Sequence, residues 1–258
     1  MPSRSDDLAL GLEMADLADT LTVPRFRARD LTVDTKPDLT PVTEADRTVE
    51  QALRALVQAR RPGDAVVGEE FGTSGAGGRR WIVDPIDGTK NFVRGIPVWA
   101  TLVALEDAGE LVVGVVSAPA LGRRWWAGRG LGAFADGQAI HVSAVDTLAA
   151  AQLSYSSLAL WDQHPGGVGR LLELAGQCWR TRAFGDFWSH MLVAEGAAEV
   201  GLDPEVTLWD LAAVQVVVEE AGGRFTDLDG VPRPDGGSAV STNGVLHDEV
   251  LRTLRPAP

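Results

Sequence analysis

The stretch Trp81-Ile-Val-Asp-Pro-Ile-Asp-Gly-Thr-Lys-Asn-Phe92 sets two carboxylates, Asp84 and Asp87, a proline and a Gly-Thr pair directly behind an apolar run. The run Trp81 to Val83 suits a short buried strand, and Pro85 and Gly88 break it as a strand-to-helix turn does. Asp84 and Asp87 then leave the sheet edge together. Two ionised carboxylates about 5 Å apart repel by about 3 kcal/mol at an effective dielectric of about 20, so keeping both ionised calls for a cation between them. Hard oxygen ligands point to Mg²⁺ or a relative.

An aspartyl-phosphate phosphatase would place one spacer between the two aspartates, whereas here Pro85 and Ile86 both intervene. The extra residue turns Asp87 out of a nucleophile-and-acid geometry and leaves the Ile86 carbonyl free to bridge as a ligand. An Asx-type turn with a helix cap at Asp87 is the purely structural alternative.

Three further acidic positions stand at element ends. Thr43-Glu-Ala-Asp46 has the form of a capping box, which by itself gives Asp46 only a backbone role. Gly68-Glu69-Glu70 ends a short strand, and adjacent acids on a strand point to opposite faces, so only one faces a site. Asp210 in Trp209-Asp210 opens a helix, where it complements the positive end of the dipole. Taken jointly with Asp84 and Asp87, these acids form a cage.

Elements able to carry them follow from periodicity. Leu10, Met14, Leu17 and Leu21 mark an amphipathic helix after Ser5-Asp6-Asp7, which supply its cap, and Val49, Ala52, Leu53, Leu56 and Val57 mark a second after Thr43. Ala65 to Gly68 reads as a strand, and Gly72 to Gly78 as a flexible loop that orders when metal binds. Val98 to Leu105, Leu111 to Val116, Arg124 to Ala127 and Ala133 to Val142 read as hairpins of an antiparallel sheet. The second half alternates strands and helices, with a helix from Trp209 to Ala221 ended by Gly222-Gly223 and strands at Arg224 to Asp227 and Ala239 to Thr242. No internal repeat is present.

The chain has 258 residues, 45% of them apolar, enough for one large domain of two closely joined lobes, about 1–145 and 146–258. A formal net charge of −13 repels nucleic acid, anionic membranes and phosphorylated substrates alike unless a cation reverses the sign locally. One cysteine, Cys178, permits no intrachain disulfide and is assigned to helix packing. With no secretory leader pattern and no apolar run of about 20 residues, the reading is a cytoplasmic protein.

Read in order, Lys36-x-Asp38-x-Thr40-Pro-Val-Thr43-x-x-Asp46, Gly68-Glu69-Glu70, Asp84-Pro-Ile-Asp87-Gly-Thr89 and Trp209-Asp210-x-Ala-Ala213 resemble the inositol monophosphatase superfamily of Mg²⁺-dependent, lithium-sensitive phosphatases. The resemblance spans nearly the whole chain and implies an αβαβα sandwich, an α/β layered fold of the fructose-1,6-bisphosphatase type. It also implies that Glu69, Asp84, the Ile86 carbonyl, Asp87 and Asp210 hold two or three Mg²⁺ ions, with Mn²⁺ as an alternative, Li⁺ as inhibitor and Glu70 outside the metal shell. Asp46 would orient Thr89, the N–H groups of Gly88 and Thr89 would hold phosphate, and Glu69 and Thr89 would position a metal-activated water. No phosphoenzyme forms in this scheme, the substrate is a small phosphorylated metabolite, and a homodimer is implied.

Within the superfamily, Asp87-Gly-Thr89-Lys-Asn-Phe92, Gly95-Ile-Pro-Val-Trp99, Phe184-Gly-Asp-Phe-Trp188 and Asp203-Pro-Glu-Val look like the bacterial histidinol-phosphatases. Asp186 and Asp203 would then suit an ammonium or imidazolium tail, and Trp188 or Trp99 could stack on an imidazole. Many relatives carry glycine where this chain has Val214. The alternatives are an inositol-1-phosphate or broad sugar-phosphate phosphatase and, in another class, a non-catalytic protein that binds metal or a phosphometabolite to regulate a partner.

Overall fold

Alternation along the strand Arg79–Asp87 divides the molecule into layers. Trp81 and Val83 enter one apolar cluster and Ile82 another, because side chains of an extended chain alternate between faces. In the adjoining strand Ala100–Asp107, Val103 and Leu105 take the first side and Leu102 and Ala104 the second. Strands apolar on both faces must be covered on both. The computed structural model, which describes residues 2–37, 39–164 and 166–255, shows what covers them; Asp38 of the first motif lies outside the described residues.

One face carries the helices Arg4–Thr22 and Glu44–Arg60, whose Leu10, Met14, Val49, Leu53 and Val57 pack around Trp81. Both begin with a capping box, Ser3 with Asp6 and Thr43 with Asp46. The first cap is therefore Ser3 and not the expected Ser5, since Ser3 Oγ accepts the Asp6 N–H at 3.1 Å. The other face carries Asp186–Ala194 and Leu208–Glu220, which form a middle layer against a second sheet. Gly167–Gln177 and His247–Leu254 cover the far side of that sheet. Helix, sheet, helix, sheet, helix is the αβαβα order.

Among the described residues the largest sheet has eight strands. Hairpins from Ala100–Asp107 to Gln138–Ala139 form as the turn residues indicate, and Ala65–Gly68 adds the one parallel pairing, with Arg79–Asp87. Among the described residues a second sheet has five strands, all drawn from the second half of the chain, and Val33–Thr35 pairs with Pro41–Thr43 in a separate two-stranded ribbon. Two expectations need correction. The segment 72–78 is not wholly loop: Gly72–Ser74 pairs antiparallel with Ala65–Gly68, and Arg54 fastens it by donating to the Gly72 carbonyl and to Ser74 Oγ. The strand expected to stop at Val83 runs on through Asp87 in the interior of the sheet.

Gly114 explains how the middle layer comes close enough. A Cβ there would lie 2.4 Å from the Ala213 carbonyl oxygen, so only glycine lets the backbone of Leu208–Glu220 rest on the sheet. Val214, the departure noted above, is fully buried in that layer. Gly222, at φ +88°, ends the helix, with the Gly223 N–H returning to the Val218 carbonyl at 2.9 Å. Cys178 sits at the end of Gly167–Gln177 against the outer core, and burial pushes its thiol up to about 11. Among the described residues no helix is long and apolar enough to cross a membrane.

His247 gives the fold an acid limit. It is fully buried, with Nε2 3.0 Å from Thr226 Oγ1 and Nδ1 3.0 Å from Thr242 Oγ1. Thr226 donates its own proton to the Asp227 carbonyl, so Nε2 carries the hydrogen and Nδ1 accepts from Thr242. A second proton would leave two donors facing each other. Burial, aided by Arg224, lowers its pKa to about 4 from 6.5. A histidine depressed in the fold stabilises it above the unfolded value and loses that contribution as pH falls through the folded one. The protein should thus lose about 2–3 kcal/mol between pH 6.5 and pH 4 from this group. His247→Gln should flatten that part of the pH profile in urea unfolding, and an unchanged slope would count against the assignment.

Candidate metal and phosphate site

Residues three apart on a regular strand point to opposite faces, so Asp84 and Asp87 could not share a site without a defect in the pleat. The defect is present. Asp84 pairs with Leu102 and Asp87 with Ala100, so three steps on one strand match two on the other, which is a one-residue bulge. Its inner geometry is fully bonded. The Ile86 N–H donates to Asp84 Oδ1 at 2.9 Å, and Thr101 Oγ1 donates to the Pro85 carbonyl at 2.7 Å.

Asp210 completes the group from the start of Leu208–Glu220, where its Oδ2 accepts the Thr207 N–H at 2.6 Å and the Thr207 hydroxyl at 2.9 Å. Asp84, Asp87 and Asp210 each bring a carboxylate oxygen within 4.8 Å of the other two. Burial raises the pKa of all three; neighbouring acids raise it further for two of them, Glu69 and Asp87 acting on Asp84 and Asp186 and Asp210 on Asp87, whereas the hydrogen bonds from Thr207 hold Asp210 back. Three hard anions forced together without a positive side chain among them fit a divalent cation.

Glu69 stands beside this group and is held differently. Lys36 Nζ lies 2.6 Å from Glu69 Oε1 and 2.6 Å from Glu70 Oε1. Of the two acids only Glu69 lines the cavity, as expected, but the pleat is not the reason, because the strand ends at Gly68 and both stand on the turn that follows. That turn is clamped from below by Glu50, a fully buried carboxylate that accepts the N–H groups of Glu70 at 2.7 Å and Phe71 at 3.2 Å. Arg54 neutralises Glu50 through two hydrogen bonds of 2.8 and 2.6 Å. Gly68 is required here, since a Cβ would fall 2.2 Å from Glu50 Oε1.

After the bulge, Gly88 takes φ +82° and starts the short helix Thr89–Arg94. A Cβ on Gly88 would meet the Val98 carbonyl oxygen at 2.9 Å and Asp186 Oδ2 at 3.2 Å. Thr89 Oγ1 lies 3.0 Å from the Ile86 carbonyl and 3.4 Å from Asp46 Oδ1, two acceptors that claim its proton and leave its lone pairs for a donor. Asp46 is anchored by the Thr43 N–H and hydroxyl, and burial raises its pKa to about 6. Asp186, at φ +48°, accepts from Asn91 Nδ2 at 2.8 Å, and burial brings its pKa to about 7. The next residue, Phe187, donates its N–H to Asp87 Oδ2 at 2.9 Å, so the Asp186–Ala194 helix braces this carboxylate. Together these groups line a cavity of about 530 Å³.

A family model described as the Inositol monophosphatase family matches residues 11–257. The chain belongs to this family. It is 61% identical over 255 residues, 96% of this chain and 98% of the other, to a histidinol-phosphatase of Mycobacterium tuberculosis. A histidinol-phosphatase of Streptomyces coelicolor is 54% identical, covering 98% of each chain. Among solved structures, the extragenic suppressor protein suhB of Bartonella henselae superposes with a TM-score of 0.89 at 27% identity, covering 98% of this chain and 100% of that one.

Within this family member, Glu69, Asp84, the Ile86 backbone, Asp87, Gly88, Thr89, Asp186 and Asp210 all line the one cavity, and Asp46 touches it through Thr89. Three aromatic and acidic expectations change. Asp203 does not face the cavity; it is buried with Oδ2 2.9 Å from His190 Nε2. Trp188 packs on Phe184, ring centroids 4.9 Å apart, and Trp99 is enclosed with Phe26 and Phe92. The tryptophan that does line the cavity is Trp209. Sequence reasoning missed Glu50, Asn91, His190 and Glu205. Glu50 was signalled by its place on the apolar face of Glu44–Arg60 beside Val49 and Leu53, where an unpaired acid would not be buried; Glu205 carried no such signal.

The carboxylate group makes a stability prediction. A carboxyl whose folded pKa exceeds its unfolded value supports the fold while protonated and loses that contribution as pH rises through the folded value. In chelator, Asp87→Asn should therefore be more stable than the parent at pH 8, with the gap closing towards pH 4. Urea unfolding at both pH values checks it.

Proposed function

We propose that this phosphatase hydrolyses the phosphate monoester of L-histidinol, with divalent cations held by Glu69, Asp84, the Ile86 carbonyl, Asp87 and Asp210. The observation that carries the reading is a cavity whose acids outnumber what the cations need: Asp186 lies against Gly88, beside the phosphate position and outside the metal carboxylates. A tail bearing an ammonium and an imidazole suits such a wall better than neutral hydroxyls do. The two histidinol-phosphatases to which the chain is 61% and 54% identical support the same choice.

When bound, the cations neutralise the phosphate and lower the pKa of a water. The chain's own groups do the rest. Gly88 and Thr89 place backbone N–H groups beside the phosphate oxygens. Thr89 Oγ1, with its proton committed to Ile86 or Asp46, accepts a hydrogen bond from the attacking water, which Glu69 helps to position. Asp84 Oδ1 accepts the Ile86 N–H and the residue is buried, which suits a ligand and not a covalent nucleophile. With a net charge of −13, the protein repels its substrate until cations bind, so metal precedes phosphate. The same reading comprises Mg²⁺ as the working ion, two or three per site with Mn²⁺ as substitute, inhibition by Li⁺, a homodimer and a cytoplasmic enzyme.

Phosphate release from L-histidinol phosphate and myo-inositol 1-phosphate, each with Mg²⁺ and with chelator, tests the proposal. Activity should require Mg²⁺ and favour histidinol phosphate. Asp87→Asn should fold and lose turnover by about two orders of magnitude or more. Preference for the inositol ester would discard the substrate assignment, and full turnover by Asp87→Asn would discard the metal assignment.

A further inference from the structure

The acid expected to read the substrate tail, Asp203, is committed elsewhere. It ends the strand Val200–Asp203, is 4% exposed, and bonds His190, whose Nδ1 lies 2.8 Å from Ser241 Oγ. This buried chain of Ser241, His190 and Asp203 fixes the strand end in the core. Two residues on, the backbone has left the sheet, and the Val206 N–H donates to the Gly237 carbonyl at 3.2 Å, which pins the segment at the cavity mouth.

Glu205 stands there. It is exposed, lines the same cavity as Asp186 and Trp209, and makes no hydrogen bond or ion pair with any described residue. The other cavity acids are engaged: Glu69 by Lys36, Asp186 by Asn91, Asp210 by Thr207, Asp87 by the Phe187 N–H and Asp84 by the Ile86 N–H. Lys36 and Lys90 also line the cavity, but Lys36 is held by Glu69 and Glu70 and Lys90 acts on Asp186, which leaves Glu205 as the acid without a partner among the described residues. Trp209 lines the same cavity, and an indole ring also attracts a cation.

We propose that Glu205 is a specificity-determining residue that receives the cationic end of the substrate, so that the enzyme selects phosphate esters of positively charged amino alcohols over those of neutral polyols. The proposal rests on the substrate reading above and adds the residue that enforces it. Glu205 touches no metal carboxylate in the structure, and its contribution is therefore in substrate binding, where a charge contact at a cavity mouth acts through KM.

The test compares parent, Glu205→Gln and Asp203→Asn holoenzymes on L-histidinol phosphate and myo-inositol 1-phosphate, with calorimetric binding of L-histidinol as a second readout. Glu205→Gln should raise KM for histidinol phosphate about five- to tenfold and weaken L-histidinol binding by the same factor, while KM for the inositol ester moves less than twofold. Asp203→Asn should lower stability and leave the ratio of the two KM values as in the parent. Equal changes on both esters in Glu205→Gln, or a shifted ratio in Asp203→Asn alone, would overturn the proposal. If the parent itself shows no preference for histidinol phosphate, the substrate reading falls. Phosphoethanolamine against glycerol 2-phosphate then decides Glu205 separately: a selective loss on the amino ester in Glu205→Gln upholds it, and a uniform effect refutes it.

Discussion

Mutual repulsion among Asp84, Asp87 and Asp210 is the constraint around which the rest of the structure is arranged. Carboxylate oxygens within 4.8 Å of one another, one residue buried and two part-buried, without a positive side chain between them, oppose folding when ionised. Rigid surroundings are needed to hold them there. The bulge lies inside an eight-stranded sheet with strands on both sides, and its loose polar atoms are tied by the Ile86 N–H and the Thr101 hydroxyl. Gly114 admits the helix that carries Asp210 to contact distance.

Around that core the protein separates acids left without a positive side chain from acids that it neutralises itself. Arg54 satisfies Glu50, and Lys36 satisfies Glu69 and Glu70 together, its own pKa raised by both although burial opposes it. The pair Glu50 and Arg54 has no view of the substrate, yet it sets the turn on which Glu69 sits and fastens the adjoining edge strand. Positioning therefore reaches the site through buried charge pairs as well as through apolar packing, and such pairs are costly to break from one side only.

Much of the site was legible in the sequence because its residues lie at element ends with short-range signatures. Thr43 with Asp46 is a capping box before it is anything else, and the structure uses it as both cap and prop for Thr89. Asp84-Pro-Ile-Asp87-Gly-Thr89 announced a strand end, a turn and a helix start within a few residues. The layered order could be read only through the resemblance, since periodicity gives faces of single elements and not which faces meet. Asp203 and Trp188 were misplaced for that reason: a strand-end acid and a helical tryptophan look equally suited to core or cavity until the partner, His190 or Phe184, is known.

By itself the sequence determined the carboxylate set, the caps, the glycine at Gly88 and the hairpins, all consequences of local sterics and hydrogen bonding. Only the tertiary structure decided that Asp84 and Asp87 share a face, because a bulge is a register mismatch between two strands and exists in neither alone. It also decided which acids remain free. Asp203 is silenced by a histidine thirteen residues away and Glu205 is left open at the cavity mouth, a distinction set by long-range packing that no local pattern encodes.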